Sequence, residues 1–391
     1  MSLPTVLGSA LVAAPAALFA YAYAGYPLLL KAVASRRPPV RRLAEPGEWP
    51  TVSITVPCFN EESRIADALD SLLGLDYPAD KLQILVISDA STDRTDAIVE
   101  GYADRGVELL RLPVRRGKSA AENAAGFVVR GDLVVNIDAS VRVLPNALKA
   151  LVLAFQDPTV GVASGCDVSV GTAARDGNRG EAGYVGYEMW IRALETRTHS
   201  IVGASGCFYG IRRALYVTDF PEHLSRDFGS ALLVRERGYR AVSVGDATCI
   251  VPRTASLESE FRRKVRTMAR GLETLWFKRH LMNPRRYGLF AWFLLSHKLA
   301  RWLVYLTLPG AVLGLALLSL EWPAMSVLLG AVGAGVLLGV IGMRWRRHRT
   351  VPTLFALPGF ILASCAAGLL AWRQVFRGQR NAMWEPTRRT A

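Results

Sequence analysis

Cysteine and histidine are scarce in this chain and never stand in a metal-binding pattern. Only five cysteines and five histidines occur among 391 residues. No two cysteines form a CxxC pair and the histidines show no ligand spacing, which excludes a zinc site and a disulfide framework. The odd number of scattered cysteines fits a reducing compartment. They are Cys58, Cys166, Cys207, Cys249 and Cys365.

Acidic residues are also few, with 33 against 47 basic ones, so the net charge is +14. Such an excess predicts an anionic partner, which can be nucleic acid, lipid headgroups or a phosphorylated substrate. The basic residues cluster beside apolar stretches instead of along one soluble helix, so we expect no nucleic-acid partner. Hydrophobic residues make up 51% of the chain. The composition therefore predicts a catalytic-sized domain combined with membrane segments.

Charge is absent from a long segment near the start of the chain. Leu3 to Leu30 holds no charged residue, and about 20 apolar residues suffice to cross a bilayer. A signal peptide would have its basic residues first, whereas here they follow, in SRRPPVRR. We therefore predict an uncleaved transmembrane helix over 1–34 and a basic linker over 35–49. The positive-inside rule places the linker and the next domain on the cytoplasmic side of the plasma (inner) membrane.

Three further apolar runs, at 300–320, 323–343 and 351–372, predict C-terminal transmembrane helices over 299–373. The segment RWRRHRT at 344–350 favours the cytoplasmic side. One span before the domain and three after it would put the basic tail, 374–391, outside. Either the rule fails for this tail or the proline-containing run 351–372 does not cross fully. The sequence leaves both possibilities open.

Residues 255–298 are predicted to form amphipathic helices at the membrane interface. Apolar residues recur there at helical spacing among arginines: Phe261, Val265, Met268, Leu272 and Trp276. This pattern is typical of a helix lying in the membrane surface, and a solvated surface helix is the alternative. The neighbouring apolar runs favour the membrane surface.

Residues 50–254 alternate short β-like runs with helical stretches, which is typical of an α/β domain with a mostly parallel sheet. Runs at 51–56, 83–88 and 132–137 each lead into polar residues, namely Asn60 with Glu61, then Asp89, then Asp138. Ligands of such sheets bind at the carboxyl ends of the strands, so we predict a binding site there. Chance placement of turn-forming Asp and Asn is the alternative.

Two familiar motifs fail here at one position each. A calcium-binding loop fits the spacing of Asp89, Ser91, Asp93 and Glu100, but Arg94 stands where that loop needs glycine. RRGKSAAENAA contains the Gly-Lys of a triphosphate-binding loop, but Leu112 stands where its first glycine belongs. Lys118 at a helix start still suits phosphate oxygens.

Six segments stand out together: VSITVPCFNEE, ISDASTDRT, GKSAAENAA, NIDAS, GASGCFYGIRR and SRDFGSALLVRERGYR. In their order and spacing they resemble family-2 glycosyltransferases with the Rossmann-like GT-A fold, in the membrane-integrated group of cellulose, chitin and hyaluronan synthases. The resemblance covers residues 50–270. It implies an inverting hexosyltransferase with a cytosolic nucleotide-sugar donor, usually a UDP-sugar, and Mg²⁺ or Mn²⁺ as cofactor. The implied acceptor is a growing polysaccharide or a lipid-linked glycan at the membrane.

The resemblance also assigns donor-binding roles to residues of this chain. Pro57, Asn60 and Glu61 would lie in the loop that holds the nucleoside. Asp89 would contact the uracil or the ribose. Lys118 would lie beside the nucleotide, close to the diphosphate.

On the acceptor side, the same resemblance implies a catalytic centre. Asp138 would be the first carboxylate of the metal-binding DxD motif. Gly203, Ser205 and Gly206 would form the small-residue turn beside the acceptor. Asp227 would be the general base that removes the proton of the acceptor hydroxyl as it attacks the sugar. A helix N-cap is the structural alternative for Asp227.

Two departures from the family pattern matter. Ser140 replaces the second carboxylate of the DxD motif, and a hydroxyl is a poorer ligand for Mg²⁺ or Mn²⁺. Arg263 and Arg266 stand where the synthases have QxxRW, and would contact either the diphosphate or lipid headgroups. The missing tryptophan puts processive synthesis in doubt. Transfer of one sugar to a polyprenyl phosphate, or an inactive nucleotide-binding membrane scaffold, are therefore the alternative functions.

Overall fold

The structure, a computed structural model, describes residues 2–38, 44–170, 179–252, 257–345 and 351–380. Its strands are β1 Val52–Cys58, β2 Leu82–Ser88, β3 Val107–Arg111, β4 Leu133–Ile137, β5 Arg142–Val143, β6 Val160–Val170, β7 Phe208–Arg212 and β8 Arg240–Pro252. The α-helices that precede β8 in the chain are α1 Leu3–Ala20, α2 Tyr26–Ser35, α3 Ile65–Leu73, α4 Thr95–Glu100, α5 Lys118–Ala125, α6 Ala147–Leu153, α7 Arg179–Thr198 and α8 Arg226–Glu236. The later helices are α9 Leu257–Phe277, α10 Pro284–Tyr287, α11 Leu289–Phe293, α12 Arg301–Ser319, α13 Pro323–Met343 and α14 Thr353–Phe376.

All eight strands belong to one sheet, in the order β3-β2-β1-β4-β7-β6-β8-β5. β1 pairs in parallel with β2 and β4, and β2 pairs in parallel with β3. β7 then runs antiparallel to both β4 and β6. The predicted α/β sheet is confirmed, and its parallel half contains the three predicted strands. Because those strands run the same way, the loops after β1, β2 and β4 meet at one edge.

Helices cover both faces of this sheet. Along β2, Ile84 and Val86 join the core under α3 and α6, while Leu85 and Ile87 join the core under α5 and α8. This alternation follows from the two-residue period of a strand, and the unbroken apolar run of β2 suits a strand buried on both faces. Burying each of these side chains stabilises the fold by about 1.5–3 kcal/mol. Tight burial of the strands fixes the positions of the loops that follow them.

Within the residues that the structure describes, four helical segments are long and apolar enough to cross a membrane: Leu3–Ser35, Leu289–Ser319, Pro323–Met343 and Thr353–Phe376. They match the four predicted segments, although the second begins at Leu289, within the stretch predicted to lie at the interface. The first two segments each contain one π-helical stretch. α1 packs closely on α12, because Gly8 and Gly314 have no side chains where the two helices meet. A side chain at either position would clash with the other helix.

The amphipathic helix α9 packs on α14, and its place at the membrane interface stays a prediction. Its apolar face, with Met268 and Leu272, lies against Ala371 of α14. The ammonium of Lys264 donates a hydrogen bond of 2.9 Å to Ser364 Oγ. The physical reason is that two apolar helix faces brought together by the fold bury each other. At the end of the helix, Trp276 and Phe277 are exposed, at 67% and 51%.

α14 makes contacts near both of its ends. Near its start, Gly342 of α13 lies against the backbone of Phe355. Near its end, the Trp372 indole donates a hydrogen bond of 2.9 Å to the carbonyl of Trp302, in the first turn of α12. Pro358 lies inside α14, yet the helix is continuous.

Candidate active site

The loops after β1 and β2 are joined side by side. Asn60 Oδ1 accepts a hydrogen bond of 2.8 Å from the backbone N–H of Thr92. The backbone N–H of Asn60 donates to Ser91 Oγ at 3.2 Å, and that of Glu61 donates to Thr95 Oγ1 at 2.8 Å. Asn60 has a φ of 53°, a left-handed conformation that asparagine tolerates better than most residues. The structure thus places Asn60 and Glu61 in one ordered rim at the edge of the sheet.

Pro57 does not lie in that loop. β1 extends to Cys58, two residues beyond the predicted strand, and Pro57 is buried in register with Ile87 of β2. The prediction that Pro57 belongs to the nucleoside-binding loop is therefore wrong. Its ring lies in the strand, one pleat before the loop, because the pairing with β2 continues further than the apolar pattern indicated.

Asp89 is 1% exposed and holds the turn before α5. Its Oδ1 accepts a hydrogen bond of 2.8 Å from the N–H of Arg116, and its Oδ2 one of 2.7 Å from the N–H of Gly117. Gly117 has a φ of 100°, which glycine adopts without strain. The carboxylate therefore positions the residue that follows, Lys118. A direct contact of Asp89 with a nucleoside stays a prediction.

Lys118 connects the ends of three elements. Its Nζ donates hydrogen bonds to Asp138 Oδ1 at 2.5 Å, just after β4, and to the carbonyl oxygen of Gly206 at 3.0 Å. Gly206 in turn lies against Asp227, because a Cβ at position 206 would be 2.9 Å from Asp227 Oδ2. Lys118, Asp138, Gly206 and Asp227 thus meet at the carboxyl edge of the sheet, where Asp138 was expected from its position after a strand.

The electrostatics of this group favour a charged lysine. Burial would lower the pKa of Lys118, but the carboxylates of Asp138, Glu122 and Asp227 raise it above its ordinary value. Glu122, one turn along α5, is itself 1% exposed. Burial raises its pKa, against the opposing effects of Lys118 and Arg226. Glu122 could not be identified from the sequence, because a glutamate in a helix usually faces solvent.

Asp227 is the second residue of α8 and not its N-cap. The N-cap is Ser225, whose hydroxyl donates a hydrogen bond of 2.5 Å to Asp227 Oδ1. The N-cap interpretation of Asp227 is therefore wrong. The positive end of the helix dipole stabilises an ionised carboxylate in this first turn. The carboxylate is only partly buried, with one oxygen beside the 203–206 turn.

The turn with Gly203, Ser205 and Gly206 lies directly beside Asp227. The Ser205 hydroxyl is within 2.6 and 2.7 Å of the two oxygens of Asp167, a carboxylate that sequence reasoning missed. Burial raises the pKa of Asp167. Asp167 lies in the long strand β6, where nothing in the local sequence pattern marks it. Its role here is to hold Ser205, which is 2% exposed.

The arginines of α9 differ in what they contact. Arg263 forms a bidentate ion pair with Glu260 of the same helix, at 2.8 and 2.9 Å. Further along, Arg270 donates hydrogen bonds to Ser119 Oγ at 2.9 Å and to the carbonyl of Glu222 at 3.1 Å. Arg266 lies between them on the same helix face, three and four residues away. A role of Arg263 or Arg266 at a diphosphate stays a prediction.

Thr274 completes the support from α9. Its hydroxyl accepts a hydrogen bond of 2.9 Å from the backbone N–H of Ser225, while Arg270 also donates to the carbonyls of His223 and Leu224. α9 therefore fixes the loop that leads into Asp227. Sequence reasoning missed both residues, although Arg266, Arg270 and Thr274 follow one another at a spacing of four, which places them on one helix face.

The predicted metal ligands are Asp138 and Ser140, which lie in the turn after β4. Among the described residues, no group of three or more His, Cys, Asp or Glu side chains could hold a metal ion. Mg²⁺ is commonly bound by one or two protein carboxylates together with substrate phosphates. One carboxylate and one hydroxyl fit a metal that arrives with a diphosphate, and do not fit a metal held by the protein alone.

Known proteins resemble this chain over its sheet domain. Residues 53–218 match the family model described as "Glycosyl transferase family 2". An N-acetylglucosaminyltransferase of Mesorhizobium japonicum is 30% identical over 242 residues, which is 56% of this chain and 55% of that protein. A beta-monoglucosyldiacylglycerol synthase of Synechocystis is 30% identical over 185 residues, 46% of this chain and 37% of that protein. The chain spans about half the length of the curated relatives it matches, or less.

One solved structure is similar over nearly the whole chain. It is a mannosyltransferase from Pyrobaculum calidifontis, in complex with GDP-Man and Mn²⁺. It is 22% identical and has a TM-score of 0.73, covering 97% of this chain and 100% of that one. The two chains therefore share a fold, including the helices after the sheet.

Proposed function

We propose that this chain, whose residues 53–218 match the glycosyltransferase family-2 model and which has a GT-A fold, transfers a sugar from a nucleotide sugar to an acceptor at a membrane, with inversion at the anomeric carbon. The observation that carries the proposal is the meeting of Lys118, Asp138 and Asp227 around Gly206. A cation, an acidic residue at the end of a parallel strand and a second, partly buried carboxylate supply the groups that such a transfer needs.

Asp227 is the proposed general base. In a single displacement the acceptor oxygen attacks the anomeric carbon, the bond to the diphosphate breaks, and the hydroxyl proton passes to a carboxylate. Asp227 suits this step because one oxygen faces the 203–206 turn, while the other accepts a hydrogen bond from Ser225 that fixes the side chain. Gly206, which has no side chain, allows the Asp227 carboxylate to lie directly against this turn.

The departing diphosphate needs positive charge, because it gains charge as the bond breaks. Lys118 supplies it from the first turn of α5, where the helix dipole also favours an anion. Mg²⁺ or Mn²⁺ bound by Asp138, Ser140 and the diphosphate would neutralise further charge. When the nucleotide binds, Lys118 would exchange part of its contact with Asp138 for a phosphate oxygen.

The proposed donor is a UDP-sugar, in line with the family resemblance. The names of the Mesorhizobium and Synechocystis relatives support N-acetylglucosamine or glucose as the sugar to try first. The Pyrobaculum structure, which contains GDP-Man, requires that guanosine donors be tested alongside.

The decisive experiment measures nucleoside diphosphate release by the full chain in nanodiscs. Donors would be UDP-GlcNAc, UDP-glucose and GDP-mannose, with Mn²⁺, Mg²⁺ or EDTA, and Asp227→Asn would be the matched variant. Turnover with one donor that is lost in Asp227→Asn and with EDTA supports the proposal. Tight nucleotide binding without turnover, across all donors and acceptors, would support the inactive scaffold instead.

For the membrane part, we propose three crossings, with the sheet domain in the cytoplasm and α14 along the membrane surface. α12 and α13 contact each other and are joined by three residues, as in a helical hairpin, so α13 would return to the side of the sheet domain. The contact with Trp302 then holds the other end of α14 on that side as well. Arg380 lies near enough to His223 of the sheet domain that, with burial, it lowers the pKa of that histidine. This arrangement puts the basic tail on the cytoplasmic side, and so satisfies the positive-inside rule.

A second candidate function is single addition of a sugar to a lipid-linked acceptor. Thr267 stands where the processive synthases have tryptophan beside the acceptor. Isolation of the product distinguishes the two, because single addition gives one sugar per lipid and processive synthesis gives a ladder or polymer.

A further inference from the structure

A second charged cluster lies between α7 and the start of the Leu289–Ser319 segment, away from the nucleotide side of the site. Its members are Glu188, Arg192, Glu195, His297, Lys298 and Arg301. All of these side chains except Lys298 are at most 8% exposed. We call this group the interface cluster.

In the interface cluster, the carboxylate of Glu188 contacts more positive groups than it can neutralise. Glu188 lies 3.0 Å from His297 Nε2, 3.1 Å from Arg301 Nη1, 3.4 Å from Lys298 Nζ and 3.5 Å from Arg192 Nε. The other carboxylate, Glu195, is already engaged by His297, by the Tyr26 hydroxyl and by the backbone N–H of Val202. Three permanently cationic side chains therefore share the carboxylate of Glu188, and of these only Arg192 is also influenced by the more distant carboxylate of Asp167.

The two arginines of the cluster also have N–H donors that meet no acceptor. Within the described part of the chain, Nε and Nη2 of Arg301 and Nε of Arg192 have no hydrogen-bond partner. Arg301 is 4% exposed, and its guanidinium carbon lies 5.4 and 5.1 Å from the ring centroids of Tyr23 and Tyr187. These two cation–π contacts hold the guanidinium in place, while two of its nitrogens remain without an acceptor. Buried N–H donors of a charged group are costly when unpaired, so an anionic ligand would be favoured here.

Two routes connect the interface cluster with the proposed acceptor turn. The aliphatic stem of Lys298 lies against Gly203, since a Cβ at 203 would be 3.7 Å from Lys298 Cε. Arg192 Nη1 lies 3.4 Å from Ser164 Oγ, which accepts a hydrogen bond of 2.8 Å from the backbone N–H of Ser205. The same turn touches Asp227 through Gly206. A ligand held by the cluster would therefore be next to the proposed base and beside a helix suited to lipid.

From this geometry we propose that Arg192, Lys298 and Arg301 bind the phosphate of a lipid-linked acceptor. The guanidinium edge of Arg301 matches phosphate oxygens, and Lys298 adds a cation at the side of the acceptor turn. The lipid chain would then lie along the apolar Leu289–Ser319 segment, with the hydroxyl to be glycosylated directed at Asp227. This inference rests on the proposed function and specifies its acceptor class.

The test measures lipid binding without any sugar donor, so that it does not depend on turnover. The full chain in detergent would be titrated with geranylgeranyl phosphate, with geranylgeraniol, which lacks the phosphate, and with phosphatidic acid. Variants would be Lys298→Gln, which alters the least buried cation of the cluster, and Arg192→Gln. Arg279→Gln is the matched control, since Arg279 is an exposed cation outside the cluster. UDP binding reports whether each variant is folded.

We expect geranylgeranyl phosphate to bind more tightly than geranylgeraniol, and each cluster variant to weaken only the phosphate ligand, by about tenfold or more. Arg279→Gln should stay within about twofold of the wild type. Unchanged phosphate binding in a Lys298→Gln protein that still binds UDP would overturn the proposal and leave the cluster a structural contact. Equal binding of phosphatidic acid, lost in the same variants, would make it a bulk headgroup site and overturn the acceptor role. If Arg192→Gln fails to fold, Lys298→Gln alone decides.

Discussion

The ammonium nitrogen of Lys118 lies 2.5 Å from Oδ1 of Asp138, so that the first residue of α5 and the residue after β4 form one ion pair. Both side chains are partly buried, at 17% and 23% exposure. An ion pair of this kind resists separation, because removal of one partner leaves the other charge poorly solvated. A nucleotide diphosphate and its metal ion would replace this pair with contacts to both residues.

We therefore predict strong non-additivity between Lys118→Gln and Asp138→Asn. Each single variant should weaken UDP binding about tenfold or more, whereas the double variant should lose clearly less than the product of the two effects. UDP affinities of the four proteins, measured with Mn²⁺, complete the cycle. Effects that simply multiply would mean that the two residues act on the nucleotide independently.

Gly206→Ala should lower kcat while nucleotide affinity is retained. The added methyl group would be 2.9 Å from Asp227 Oδ2, so the carboxylate must move from its position. We expect a loss of about tenfold or more in kcat, since a displaced base is poorly aligned with the acceptor. Gly245→Ala is the matched control, because a Cβ there meets no atom within 4 Å. A normal kcat in Gly206→Ala would argue against Asp227 as the base.

Arg270→Gln should impair catalysis, although the Arg270 side chain contacts no reacting atom. The side chain donates to Ser119 and to the carbonyls of residues 222–224, which lead into Asp227. We expect kcat to fall several-fold and UDP affinity to change little, because the loop loses its anchor while Lys118 stays in place. Arg285→Gln, an exposed arginine in α10, serves as the control. An equal loss of kcat in both variants would indicate a general effect of removing positive charge near the membrane, and not an effect on the loop.

Acid should destabilise the sheet domain through His199. Burial, together with Arg235, Arg240 and Arg37, lowers the pKa of this histidine to about 4, from 6.5 in its ordinary setting. Because the folded protein binds this proton less readily than the unfolded chain, its contribution is full above about pH 6.5 and is lost as the pH falls towards 4.

The measurement is the unfolding midpoint of the purified protein at several pH values between 7 and 4.5. His199→Gln cannot titrate, so its midpoint should fall less steeply with acid than that of the wild type. Parallel curves for the two proteins would show that His199 does not contribute.

Labelling of single cysteines tests the proposed topology. In a cysteine-free background, Arg380→Cys should share its side of the membrane with Arg142→Cys in the sheet domain, and Glu321→Cys should lie on the other side. The reason is that α14 is held on the domain side near both of its ends. Reaction of a membrane-impermeant maleimide with right-side-out and inverted vesicles distinguishes the sides. If positions 380 and 321 label together, α14 crosses the membrane and the proposal of three spans fails.

Much of the site could be predicted because its residues follow buried strands. Asn60, Asp89 and Asp138 come directly after apolar runs, and parallel strands necessarily bring such residues to one edge. Pro57 was predicted to lie in the loop but lies in β1. The end of a strand depends on pairing with a neighbouring strand, which the local sequence pattern does not show. Asp167, Glu122, Arg270 and Thr274 could not be identified, because each acts on an element distant in sequence.

The sequence by itself determined the α/β domain, the four long apolar helices and the order of the site motifs. These depend on local properties, namely the period of the apolar residues, the length of uncharged runs and the residue types that end each strand. Only the tertiary structure decided what those residues touch. It turned the apolar face of α9 onto α14, joined Lys118 to Asp138, and gathered the interface cluster from α7 and the Leu289–Ser319 segment. Such contacts arise from the packing of residues 20 or more positions apart, which no local pattern encodes.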